Sequence, residues 1–274
     1  MLPALLTAIL ATLAPSPNMP ATAAGSDLDL CIKGDADVRI AACTRVLGGE
    51  YGTGSTCLAH NNRALGYVLI GEYDKALPDL NKVVVECHDS DASYFNRGVV
   101  YVKTGNFDHA ISDFNATLET MPNLYWAMID RAEARLYKHD YPHAMADLAR
   151  AFRLTKTDWS AYAVRCEARA FMGVELDAAL QDCQGLIESD QPPQVRGTAL
   201  GFRALIEYRR GEGRKALDDL DEANTSNPGE SVFLYARGLV KRSLGDGAGA
   251  DSDVRAAAAI NPHMGEVFAA YGLN

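Results

Sequence analysis

From Cys57 to Pro262 the apolar positions recur at the spacing of one helix face, in paired stretches separated by short turns. The pairs repeat. Arg63, Arg97, Arg131 and Arg165 stand 34 residues apart, Arg203 follows after 38 and Arg237 after another 34. Each precedes a small residue: Ala64, Gly98, Ala132, Cys166, Ala204 and Gly238. Then come Ala76, Ala110, Ala144, Ala179, Ala216 and Ala250, each three residues before Asp79, Asp113, Asp147, Asp182, Asp219 or Asp253. The residue after the aspartate is Leu80, Phe114, Leu148, Leu220 or Val254, with Cys183 in the fourth repeat.

Eight residues after the arginine stands Gly71, Gly105, Gly173, Gly211 or Gly245, placed to end a first helix in the left-handed conformation. His139 takes that place in the third repeat. Pro122, Pro228 and Pro262 close repeats at their far ends, because proline cannot continue a helix. The pattern predicts an all-α solenoid of antiparallel helix pairs, with six full repeats over 57–90, 91–124, 125–158, 159–196, 197–230 and 231–262. Gly34, Ile40 and Cys43 fall in register with Gly105, Ile111 and Phe114, so 25–56 reads as a degenerate N-terminal repeat followed by a glycine-rich linker. Residues 263–274 read as a capping helix, with Val267, Phe268 and Tyr271 available to cover the last pair. An extra residue in the turn Val174-Glu175-Leu176-Asp177, and three more around Gln191-Pro192-Pro193-Gln194, predict a local irregularity in the array.

Residues 1–24 carry no charged side chain, run apolar from Leu2 to Leu13, and end in small residues at Ala21-Thr22-Ala23-Ala24. That layout predicts a secretory signal peptide removed near Ala24, and a periplasmic or secreted protein. The apolar run falls short of the roughly 20 residues a membrane helix needs, so stable membrane insertion is not expected. With 26 Lys and Arg against 36 Asp and Glu, the formal charge of -10 disfavours nucleic acid as a partner.

The arginine and aspartate keep an offset of 16 residues, or 17 where the turn is longer, which predicts an ion pair joining the two helices of each repeat. The pairs are Arg63 with Asp79, Arg97 with Asp113, Arg131 with Asp147, Arg165 with Asp182, Arg203 with Asp219, and Arg237 with Asp253. Six cysteines in an exported chain invite a disulfide reading. Cys166 and Cys183 occupy facing core positions, Cys57 and Cys87 sit at helix ends that antiparallel packing brings together, and Cys31 with Cys43 would staple the first pair; six buried thiols are the alternative. Cys57, His60, Cys87 and His88 offer ligand types for zinc but lack a paired spacing, so no metal is assigned. Gly49-Glu50-Tyr51-Gly52-Thr53-Gly54-Ser55-Thr56 lacks the lysine and the preceding strand of a phosphate loop. No catalytic grouping and no cofactor fingerprint is found, and no enzyme activity is expected.

The segment Tyr94-Phe95-Asn96-Arg97-Gly98-Val99-Val100-Tyr101, with Gly105, Ala110, Phe114 and Pro122 after it, resembles the tetratricopeptide repeat family. The resemblance extends over Cys57 to Pro262 and implies a right-handed superhelix whose first helices line a partner-binding groove. Carried onto this chain, the groove includes Asn62, Phe95, Asn96, Val99, Trp126, Asp130, Glu133, Tyr137, Glu167 and Phe171, with Asn61, Lys103, Phe202 and Tyr235 on the same face. Leu65, Trp126 and Asp130 stand where a clamp for a terminal carboxylate wants asparagine and cations. The resemblance therefore implies a protein interaction scaffold holding a basic or mixed peptide or a helix of a partner; the alternative is a structural subunit of a cell-envelope assembly or secretion machine.

Overall fold

The structure, a computed structural model, describes residues 25–87, 91–138 and 140–273. The expected signal peptide, His88 and His139 lie outside the described residues. Those residues form helices joined by short turns, and no strand occurs among them. The first pair is α1 (Gly25–Lys33) and α2 (Ala36–Gly48). Twelve further helices follow in chain order: α3 (Thr53–Leu69) paired with α4 (Tyr73–Glu86), α5 (Asp91–Lys103) paired with α6 (Phe107–Thr120), then α7 (Tyr125–Tyr137) and α8 (Tyr141–Leu154), then α9 (Trp159–Met172) paired with α10 (Leu176–Glu188), α11 (Pro193–Arg209) paired with α12 (Gly213–Ser226), and α13 (Ser231–Ser243) paired with α14 (Gly247–Ile260). The chain closes on α15 (Met264–Ala270). No described helix is long and apolar enough to cross a membrane.

Local chemistry sets the turns. Gly105 takes φ 74°, and the next residue, Asn106, donates its N–H to the Tyr101 carbonyl at 2.8 Å. That bond reaches back across the last helical turn and satisfies a carbonyl the helix cannot. The same closure joins Glu72 to Tyr67, Glu212 to Glu207 and Asp246 to Lys241. The small residue after each arginine lets the paired helices touch: a Cβ on Gly98 would lie 2.8 Å from the Phe114 ring, and one on Gly238 2.8 Å from Val254 Cγ2. Ala76, Ala110, Ala144, Ala179, Ala216 and Ala250 are all fully buried.

The chain divides into two compact bodies, with the boundary between Asp140 and Tyr141, inside the third repeat. In the N-terminal body α2 packs on α3, and α3, α5 and α7 succeed one another as neighbouring first helices. In the C-terminal body α9, α11 and α13 do the same around one continuous core that includes Leu200, Phe202, Leu205, Phe233 and Phe268.

Helix boundaries depart from the sequence pattern in two places. Thr53 to Thr56, expected in the linker, are the first turn of α3. Pro193 opens α11 at a position where a missing N–H costs no hydrogen bond, so the inserted residues lengthen that helix to 17 residues against 14 in α9.

Candidate functional site

The repeated arginines build the frame that positions everything else. Arg97 donates from Nε and Nη2 to the two oxygens of Asp113, both at 2.8 Å, and Arg63 grips Asp79 the same way at 2.7 and 2.8 Å. Arg165 with Asp182, Arg203 with Asp219, and Arg237 with Asp253 repeat the fork at 2.6–2.8 Å. Such bidentate pairs fix the angle between two helices as well as their charge. Each aspartate holds the guanidinium of Arg63, Arg97, Arg203 and Arg237 above the usual arginine range by hydrogen bonding, against the opposing effect of burial. Arg131 belongs to the N-terminal body and Asp147 to the C-terminal one.

The remaining guanidinium nitrogen has a second role. Nη1 of Arg97 donates to Asn81 at 3.0 Å, that of Arg131 to Asn115 at 2.6 Å, that of Arg203 to Gln184 at 2.6 Å and that of Arg237 to Asp221 at 2.9 Å. These acceptors lie on the second helix of the preceding repeat, so Arg97, Arg203 and Arg237 each join three helices. The marker was legible, since each acceptor stands two residues after the repeated aspartate. Ala149 occupies that place before Arg165, which instead lays its guanidinium 3.8 Å from the centre of the Phe152 ring.

Disulfides join Cys31 to Cys43, Cys57 to Cys87 and Cys166 to Cys183. The first staples α1 to α2, the second ties the start of α3 to the end of α4, and the third lies in the core between α9 and α10. His60 places Nδ1 2.6 Å from Asp79 Oδ1.

Seven of the ten residues assigned to an open groove are buried: Asn62, Phe95, Asn96, Val99, Asp130, Glu133 and Phe171. Trp126, Tyr137 and Glu167 are partly exposed. Phe95 packs at 5.9 Å on Phe114 of the paired helix, which makes it core, and Tyr137 stacks on Phe107 at 4.5 Å. What gathers on the first helices of the N-terminal body is polar. Asn96 donates from Nδ2 to Asn61 Oδ1 at 2.9 Å, and Asn62 donates from Nδ2 to the Leu58 carbonyl at 2.9 Å. Asn61 Nδ2 and Asn62 Oδ1 are buried with no hydrogen-bond partner among the described residues. At the end of α5 burial lowers the Lys103 ammonium pKa, against the charges of Glu133 and Asp130 on α7. Burial pushes Glu133 up to about 7, with Lys103 opposing the shift.

The corresponding helices of the C-terminal body present aromatic rings. Phe171 of α9 lies 6.0 Å from Phe202 of α11, and Phe202 5.6 Å from Phe233 of α13. Two polar residues stand out in this region, of which Glu207 escaped the sequence reading and Arg209 was carried onto the groove face by the resemblance. Glu207, 8% exposed, is pushed up to about 7 by burial and by the Asp219 charge, while Arg203 pulls the other way. Arg209 donates from Nε to the Ala170 carbonyl at 3.0 Å and from Nη2 to the carbonyls of Phe171 and Tyr271 at 2.6 and 2.7 Å.

Antiparallel helix pairs locked by a recurring arginine fork define a helical repeat solenoid. The chain has the tetratricopeptide repeat fold, and residues 91–122 match the family model described as tetratricopeptide repeat. A tetratricopeptide repeat protein from Parabacteroides merdae is similar over 90% of this chain and 96% of its own, with 16% identity and a TM-score of 0.68. The C-terminal part of a repeat protein from Cytophaga hutchinsonii is similar over 90% and 98%, with 15% identity and a TM-score of 0.55. A chain of the APC/C hetero-tetramer Cut9-Hcn1 aligns with 93% of this chain at 11% identity and a TM-score of 0.72; this chain spans half of its length. No curated protein sequence matches the chain.

Proposed function

We propose that the protein is an exported interaction scaffold that receives a segment of a partner polypeptide on the face made by its first helices. The polar cluster of the N-terminal body carries this reading. Asn61 Nδ2 and Asn62 Oδ1 present a donor and an acceptor on adjacent residues, both buried and both unanswered. Such an atom costs about 1–3 kcal/mol to bury without a partner, which a purely structural core has no reason to retain. The N–H and C=O groups of a bound main chain supply the missing bonds, and partly exposed Trp126 and Tyr137 of α7 offer aromatic anchors further along the same run of first helices. Asn61 and Asn62 are 0% and 1% exposed, so engagement includes an opening of this face. Export is supported by the leader-like residues 1–24 and by three disulfides, which persist in oxidising compartments. The similar chain of the Cut9-Hcn1 complex was itself crystallised as part of a hetero-tetramer.

A peptide-display selection against the full, oxidised chain tests this. Selected peptides bind the parent and lose about tenfold in affinity, the worth of one good hydrogen bond, when Asn62→Leu removes the acceptor. Among the described residues Asn62 bonds only to the Leu58 carbonyl of its own helix, so the variant is expected to keep the parent's circular dichroism and cooperative melt. A selection that yields no binder, or binders indifferent to both Asn62→Leu and Trp126→Ala, rejects the reading.

A further inference from the structure

A helix following the sixth repeat would ordinarily touch only the helices of that repeat. Helix α15 reaches much further back. Phe268 lies 4.8 Å from Tyr235 of α13 and 5.9 Å from Phe171 of α9, and Tyr271 lies 4.6 Å from Phe171. Arg209 of α11 grips the Tyr271 carbonyl together with the carbonyls that end α9. The segment thus crosses the first helices of the fourth, fifth and sixth repeats, rather than covering the last pair alone as its sequence suggested. Met264, Phe268 and Leu273 are 4%, 0% and 3% exposed, while Glu266, Ala269 and Ala270 face solvent.

Two features mark α15 as an occupant and not a fixed part of the frame. A helix of seven residues has no stability of its own and exists here by virtue of the surface beneath it. Its tether, Pro262 and His263, is exposed on both residues. Arg209 contributes a third clue. Among the described residues no carboxylate bonds it, and its guanidinium, whose pKa is lowered by burial, is held by main-chain carbonyls that the end of any helix could supply.

We propose that the first-helix face of the C-terminal body is a helix-binding site filled from within by α15. Its external ligand is an amphipathic partner helix with bulky apolar side chains at the i, i+4 and i+7 spacing of Met264, Phe268 and Tyr271, ending in open carbonyls over Arg209. The inference rests on the reading of the first helices as polypeptide-binding faces. Binding of a helix by its apolar stripe in a groove needs the resident helix to leave, so the partner competes with α15 for the same rings.

The probe is a fluorescent synthetic peptide of residues 261–274, titrated into the full chain and into the full chain carrying Phe268→Ala and Tyr271→Ala. The opened variant binds at least about tenfold more tightly than the parent, in which only the fraction with α15 released can bind. Arg209→Met in the opened chain weakens the complex, and a peptide with Phe268 and Glu266 exchanged does not bind. If the opened chain keeps the parent's circular dichroism and cooperative melt yet binds no more tightly, the proposal falls. Should the double variant fail to melt cooperatively, Ala269→Pro in the last turn of α15 opens the site without removing its apolar side chains. Because the probe is the chain's own segment, failure here leaves the peptide selection on the N-terminal body untouched, and failure of that selection leaves this result standing.

Discussion

The two bodies share one frame and differ in what it carries. Arg97 and Asp113 in the N-terminal body, and Arg203 and Asp219 in the C-terminal body, make the same fork at the same distances within 0.2 Å. On the first helices the likeness ends: asparagines, Lys103, Asp130 and Glu133 gather in one, and Phe171, Phe202 and Tyr235 under α15 in the other. A repeated scaffold therefore fixes where side chains stand, while the unrepeated positions decide which chemistry is offered.

Covalent stapling separates the bodies most strongly. The N-terminal body holds two disulfides, with separations of 12 and 30 residues, and the C-terminal body one, with a separation of 17. Each bridge stabilises by about 3 kcal/mol in the chain-entropy account. Reduction therefore deprotects the amides of α1 to α4 before those of α11 to α14 in hydrogen exchange. Equal loss in both bodies would remove the bridges from this account.

The next effect probes the shared frame. Among the described residues the Asp113 carboxylate is paired with Arg97 alone, whereas Asp182 keeps Arg169 at 2.6 Å when Arg165 is removed. Arg97→Met strands a carboxylate 6% exposed and costs about 3–5 kcal/mol. Arg165→Met, with Asp182 still paired, costs about 1–2 kcal/mol, the worth of a single charged hydrogen bond. Chemical denaturation of the two variants gives the ranking directly.

The smallest effect is in acid. Glu133 and Glu207 each carry a pKa raised from 4.5 to about 7 by burial. As pH rises from 4.5 toward 7 the unfolded chain has released these protons and the folded chain still holds them, so stability falls across that window. Glu207→Gln flattens the fall in the C-terminal body and Glu133→Gln in the N-terminal body. Melting curves between pH 4.5 and 7.5 show each slope change, and a stability that climbs over the window would reverse the sign assigned here.

The frame was legible because it repeats: six arginines in register, an aspartate at a fixed offset, and a glycine at the turn. Even the inter-repeat acceptors, Asn81, Asn115, Gln184 and Asp221, were visible as a polar residue two places after that aspartate. The face was less so. A family register treats Phe95 as groove surface, but here its ring meets Phe114 in the core, a contact decided by local packing. Pairing of Phe171 with Phe268 spans most of the C-terminal body, and no local pattern encodes it. The start of α11 at Pro193 was hidden because two adjacent prolines read as loop when the second opens a helix.

The claim that matters most is that a partner polypeptide lies against the first helices of the N-terminal body. Incorporating a photo-crosslinking amino acid at position 126, in cells that express the chain, tests it at the partly exposed end of the polar cluster. The account predicts a discrete protein adduct that disappears when Asn62→Leu is added. Absence of any adduct, or an adduct unaffected by Asn62→Leu, would contradict it.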